Sequence, residues 1–232
     1  MTEPLAASRT SLSALKLRLQ RERALIALFD IGRQKGYGLR AAKLYAFGVF
    51  ASYAFAIALT SGPERTATIH GFLRAAVVSL SWAVGALAAL GSAQALAAQS
   101  ERDALSTLAL QRGIPHSALL RARMWAASVR VARLVGVPAL LLVAVGLLRG
   151  ANVTWALTVA PALIVYTSAL GLALALLAHF AAELSPRHPR ALLLALVLGP
   201  FLISLAFPAF PSLPHAFDAL LTRLLAPGAS LS

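Results

Sequence analysis

Five runs of mainly apolar residues dominate the chain, over about 41–60, 75–98, 126–148, 155–180 and 191–210. Each has roughly the 20 residues that an α-helix needs to cross a hydrocarbon layer. Inside lipid the backbone N–H and C=O groups must bond within their own segment, and apolar runs without strand-like alternation can do that only as helices. Of the residues, 59% are hydrophobic and 12% charged, a balance outside the range of soluble domains. The chain therefore reads as an all-α polytopic membrane protein with five transmembrane helices. The third run is the least plain. Its uncharged core, 134–148, is short, so Arg130 and Arg133 must face protein or extend toward the headgroups.

The basic residues set the orientation, because Lys and Arg next to spans stay in the cytoplasm. Nine lie at or before Lys43, six lie between Arg102 and Arg133, and Arg187 and Arg190 add two. The opposite side has four, Arg65, Arg74, Arg149 and Arg223. The N-terminus, the 101–124 stretch and the 181–190 loop are thus expected in the cytoplasm, and the location is a cell (inner) membrane. The net charge of +13 is dispersed between apolar runs rather than gathered on a soluble face, which argues against nucleic acid as partner. The first residues lack the early apolar core and small-residue cleavage site of a signal peptide, so insertion is expected to rely on the first span.

Outside the membrane domain (41–210) the chain has two flanks. In 1–40, Leu12, Leu15, Leu19, Ile26 and Phe29 recur at helical spacing among Lys16, Arg18, Arg21, Arg23 and Arg33. That pattern predicts an amphipathic helix lying in the cytoplasmic interface; a solvated basic arm held by anionic lipid has the same charge pattern. In 211–232, closely spaced prolines are followed by a helix bearing Phe217, Leu220, Leu221, Leu224 and Leu225, too short to span. It reads as an external re-entrant or interfacial piece. A sixth crossing would carry Asp218 and Arg223 through lipid.

Much chemistry is missing. There is no cysteine, no carboxylate deep in a span, no Gly-x-Ser-x-Gly elbow and no Gly-x-x-x-x-Gly-Lys-Ser/Thr phosphate loop. The five histidines are scattered, with no pairing that suits a metal. Neither a catalytic residue nor a cofactor is expected in this chain, and any ATP must be bound by another. Tyr166, Thr167 and Ser168 form the polar cluster inside a span, as a candidate substrate path or as bonds to a neighbouring helix. Ser81, Gly85, Ala89, Ala93 and Ala97 make a ridge of small residues that would let another helix approach closely.

Between the second and third runs lies ERDALSTLALQRGIPHSALLRARM, residues 101–124. Acids at the start, an apolar face of Ala104, Leu105, Leu108 and Ala109, and Arg112 at the end describe one short helix. Gly113 and Pro115 predict a break, after which a second helix runs through Arg121, Arg123 and Arg130 into the third span. The short helix is either a linker resting on the headgroups or a docking helix for a groove on a soluble partner.

The run Glu101, Arg102, Asp103, then Ser106, Thr107, Leu108, Ala109, Leu110, then Pro115, resembles the loop between the second and third spans of ABC-2-type transporter permeases. The order of spans, the N-terminal helix and the short outer loops are similar too. The resemblance implies a permease subunit of an ABC exporter, paired with a second permease chain as a homo- or heterodimer. ATP and Mg would be bound by a separate ATPase subunit. Glu101, Arg102, Asp103, Leu105, Leu108, Arg112 and Pro115 would then form the coupling contact, with the 181–190 loop as a second. The chain departs from the family at Ser106, where Gly is usual, and at Ala109, where Glu is usual; the family also has a sixth span after its re-entrant helices. The alternative from another class is a non-transporting membrane scaffold that binds partners through its basic cytoplasmic segments.

Overall fold

The computed structural model describes residues 37–98, 104, 107, 111, 113–207 and 211–226. The interfacial helix expected before residue 37 lies outside them. The fold is all-α, with six helices of 13 or more residues among the described ones: α1 (Tyr37–Leu59), α2 (Arg65–Ala97), α3 (His116–Leu148), α4 (Val153–Leu184), α5 (Pro189–Ala206) and α6 (Leu213–Leu225). The first five are long and apolar enough to cross a membrane, and the protein is a multi-pass membrane protein. Leu44, Phe47, Phe55, Leu157 and Leu202 are well exposed on the outside of the bundle, as side chains facing hydrocarbon should be.

Two ends can be distinguished. The turn end carries the tight connections at 60–64 and 149–152, and the loop end carries 98–115 and 185–188. At the turn end, α3 closes with Gly150 at a φ of 84°, the N–H of Gly150 donating to the carbonyl of Leu147 and that of Ala151 to Gly146. Only glycine adopts this left-handed position cheaply, and the paired bonds satisfy carbonyls that the helix leaves open. Asn152 then caps α4 by accepting from the Thr154 N–H at 3.0 Å. Arg65 Nη1 donates to the Arg149 carbonyl at 2.9 Å, joining this turn to the start of α2.

The antiparallel pair α3–α4 is the most extensive contact in the bundle. Small residues allow it. A Cβ on Gly171 would stand 2.6 Å from the Ser128 carbonyl oxygen, and one on Gly136 would meet Thr167 Oγ1 at 3.1 Å. Helix α2 packs on both members of the pair, α1 covers α2 and α3, and α5 lies against α2 and α4.

Helices α2, α3 and α4 have 33, 33 and 32 residues, about 50 Å each, well beyond a hydrocarbon core of about 30 Å. The second and third spans therefore start about ten residues before their apolar runs. Arg65–Arg74 and Ser117–Met124 carry charge yet remain helical. In α3, Arg123 and Arg130 are buried against protein, while Arg133 is exposed. Pro138, Pro161 and Pro200 all lie within continuous helices.

Helix α6 is too short to span, at about 20 Å. Ser212 caps its first turn, Pro214 favours a helix start, and Phe217, Leu221 and Leu225 form one buried face. It packs on α4 and α5. Its first turn lies beside Phe201 and Ser204 of α5, within the bundle, and its last turn reaches Thr66 and Asn152 at the turn end.

Candidate functional site

The interior polar node sits at mid-depth. Ser81 is the middle residue of α2, and Tyr166 lies close to the middle of α4. Their hydroxyl oxygens are 3.1 Å apart, and both residues are buried. Ser81 Oγ donates to the Val77 carbonyl at 2.7 Å. A serine hydroxyl has one hydrogen, so the Tyr166 O–H is the donor in the bond between them.

The backbone that presents Ser81 is unusual. Leu80–Gly85 forms a π-helical segment inside α2. Such a turn admits an extra residue and rotates the faces beyond it, and it commonly marks functional positions. Here it puts Leu80, Ser81, Val84 and Gly85 all against protein. Gly85 allows the Leu174 side chain close approach, within 3.2 Å of where its Cβ would be.

Three aromatic rings stand around the node. Phe217 of α6 meets Tyr166 edge-to-face with ring centres 5.8 Å apart, and meets Trp82 in the same manner at 6.5 Å. Helix α6 thus reaches the ring of Tyr166. Two turns before Ser81 on α2, Arg74 Nη2 donates to Thr222 Oγ1 at 2.9 Å and pairs with Asp218 at 3.4 Å. Nearer the turn end, Trp155 Nε1 donates to His70 Nδ1 at 3.0 Å, so the ring proton of a neutral His70 is on Nε2.

The three polar residues singled out in α4 part company. Each step along an α-helix turns the side chain by about 100°. Tyr166 faces α2, Thr167 is buried against Gly136 of α3 and donates to the Leu163 carbonyl at 2.8 Å, and Ser168 is exposed. Trp82 and Phe217 complete the node; no polar pattern in the sequence marked them. Arg74 and Asp218 could have been paired from sequence, since both fall on the lightly charged side of the chain.

One cavity adjoins the node and a second lies toward the turn end. A cleft of about 330 Å³ lies between α2 and α5, with Trp82, Leu174, Val197 and Phe201 among its walls and His215 and Asp218 at one edge. A wider recess of about 870 Å³ opens at the turn end, bounded by Thr66, His70, Asn152, Thr158, Trp155 and Leu224 among others. His215, at the edge of the first cleft, is 3.0 Å from the Ser212 hydroxyl through its Nδ1. Among the described residues no three His, Asp or Glu side chains come together as a metal site.

Of the expected coupling residues, Glu101, Arg102, Asp103, Leu105, Leu108 and Arg112 lie outside the described residues. Pro115 is exposed and is the N-cap of α3, following Gly113 at a φ of 67°. Ala104, Thr107 and Gln111 are helical and exposed. Their spacing of three and four places them on one helical face.

No protein-family model, curated protein or solved structure matches the chain.

Proposed function

We propose that this chain is the membrane-spanning permease subunit of an ATP-driven ABC exporter. The observation that carries the reading is the course of the chain from 113 to 148. Ala104, Thr107 and Gln111 are helical, the chain turns at Gly113–Pro115, and α3 then runs without interruption to the turn end. A partner that pushed on the short helix would move a lever about 50 Å long. That lever is packed along α4, whose Tyr166 touches both α2 and the re-entrant α6.

In this reading the loop end faces the cytoplasm of a cell with a single or inner membrane, as the distribution of Lys and Arg favours. Residues 101–116 seat in a groove of a separate ATPase subunit, which binds ATP and Mg and carries out the hydrolysis. Leu105 and Leu108 supply the apolar contact, with Glu101, Arg102, Asp103 and Arg112 around it. Two permease chains, identical or related, enclose the path. A fifth span followed by a short helix folded back into the outer half of the bundle also suits the ABC-2 resemblance.

The test is co-purification. The reading expects an ATPase gene beside this one; the tagged chain is expressed with that ATPase and extracted in mild detergent. The reading expects a complex with equal numbers of permease and ATPase chains that survives gel filtration. Recovery of the chain free of ATPase across detergents and nucleotide states sinks it.

A further inference from the structure

A second recess lies at the loop end, about 400 Å³, between the end of α2 at Gln94 and Ala97 and the 186–191 segment. Arg187, His188 and Arg190 line it, and all three are exposed. It sits at the first turn of α5, which no side chain caps, so the partial positive charge of that helix end adds to the arginines. Glu183 in the last turn of α4 is the carboxylate in this part of the sequence, and the balance from 183 to 190 stays positive.

The recess and the 330 Å³ cleft share no lining residue but follow one another along the same two helices, as the two ends of a groove. Both run between the second half of α2 and α5. Along α2 the lining passes from Ala97 and Gln94 to Leu90, Ala86 and Trp82; along α5 it passes from Arg190 to Leu194, Val197 and Phe201. The lining is basic at the end of the bundle and apolar within it. From Arg190 to Phe201 the helix rises about 16 Å, close to half of a hydrocarbon core of about 30 Å. The groove is therefore one leaflet deep, and Phe201, Trp82 and the first turn of α6 close it near mid-depth.

We infer that this groove holds one anionic phospholipid of the loop-end leaflet, with its phosphate against Arg187 and Arg190 and one acyl chain along α2 and α5. The floor is buried Leu174 and Leu193, and the open rim is Leu194 and Leu198, 42% and 47% exposed, so hydrocarbon is what surrounds it. A basic pocket between helices at a membrane surface suits a phosphate headgroup. A free anion would not use the apolar length of the groove, and a soluble protein docked on the arginines would not reach Val197. The inference rests on the membrane-spanning fold and is independent of the ABC reading.

Native mass spectrometry of the full chain, exchanged into mixed phosphatidylglycerol and phosphatidylcholine, tests it. Two arginines at the surface should favour retention of phosphatidylglycerol by roughly thirtyfold. Arg187→Gln with Arg190→Gln, both exposed and so without packing loss, should bring the two lipids to near-equal retention. Ala86→Phe, which fills the apolar stretch, should reduce retention of both. Phosphatidylglycerol should also raise the melting temperature of the native chain and not that of the double Arg variant. Equal retention by the native chain, or an unchanged preference in the double variant, overturns the inference. So does displacement of the lipid by excess inorganic phosphate. Loss of ATPase binding in the double variant with lipid retention intact would make the basic end a protein dock instead.

Discussion

The hydroxyl of Tyr166 on α4 donates to Ser81 on α2 in the middle of the bundle, 3.1 Å away, and the same tyrosine ring lies edge-on to Phe217 of α6. One side chain thus ties α2, α4 and α6 together near the middle of the two spans.

Removing that bond should be measurable but modest. Tyr166→Phe keeps the ring against Phe217 and deletes only the donor, and Ser81→Ala deletes the acceptor. A double-mutant cycle by reversible unfolding in detergent should give a coupling of roughly 0.5–1 kcal/mol, since hydrogen bonds between membrane helices are worth about that much. Additive effects would mean that the two hydroxyls do not interact.

The crossing of α3 and α4 at Gly171 should tolerate no side chain. A Cβ there would lie 2.6 Å from a backbone oxygen, so Gly171→Ala must separate the helices and should cost about 1–3 kcal/mol. Gly199→Ala in α5 meets nothing within 4 Å and should be neutral or slightly stabilising. Equal effects of the two substitutions on thermal stability would contradict the packing described.

Anchorage of α6 should come from its apolar face. Phe217→Ala should cost about 3 kcal/mol through the cavity it leaves. Asp218→Ala should cost less than about 1 kcal/mol, because Asp218 and Arg74 are 51% and 43% exposed and screening weakens such pairs. Comparing protease sensitivity near residue 212 in the two variants checks the order; Asp218→Ala being the more sensitive would reverse it.

The orientation proposed from the Lys and Arg distribution can be tested directly. The chain has no cysteine, so single cysteines report cleanly. Thr107→Cys should react with an impermeant maleimide only from the cytoplasm, and Gly62→Cys and Ala226→Cys only from outside. Reaction of Ala226→Cys from the cytoplasm would require a sixth crossing.

The number of spans was legible in the sequence because apolar length alone decides it. Their starts were not. Arg65–Arg74 and Ser117–Met124 have the hydropathy of loops, and they remain helical because they pack on the bundle and extend past the hydrocarbon. The π-helical segment left no trace either, since Leu80–Gly85 contains no proline and its glycine falls last. Tyr166, Thr167 and Ser168 were visible as a cluster, but which faced protein depended on the rotational phase of α4, which one-sided periodicity would have shown and this nearly uniform apolar helix does not. Phe217 was read as one residue of an apolar helical face; its place against Tyr166 is a tertiary fact.

The most direct measurement of the proposed coupling is the ATP hydrolysis rate of the permease–ATPase complex in lipid nanodiscs, with and without Leu105→Asp and Leu108→Asp. The account expects the native permease to change the rate of the isolated ATPase severalfold, and the double substitution to abolish that change while leaving the melting temperature of the permease alone within a few degrees. An ATPase rate that responds to the substituted permease as it does to the native chain would contradict the account.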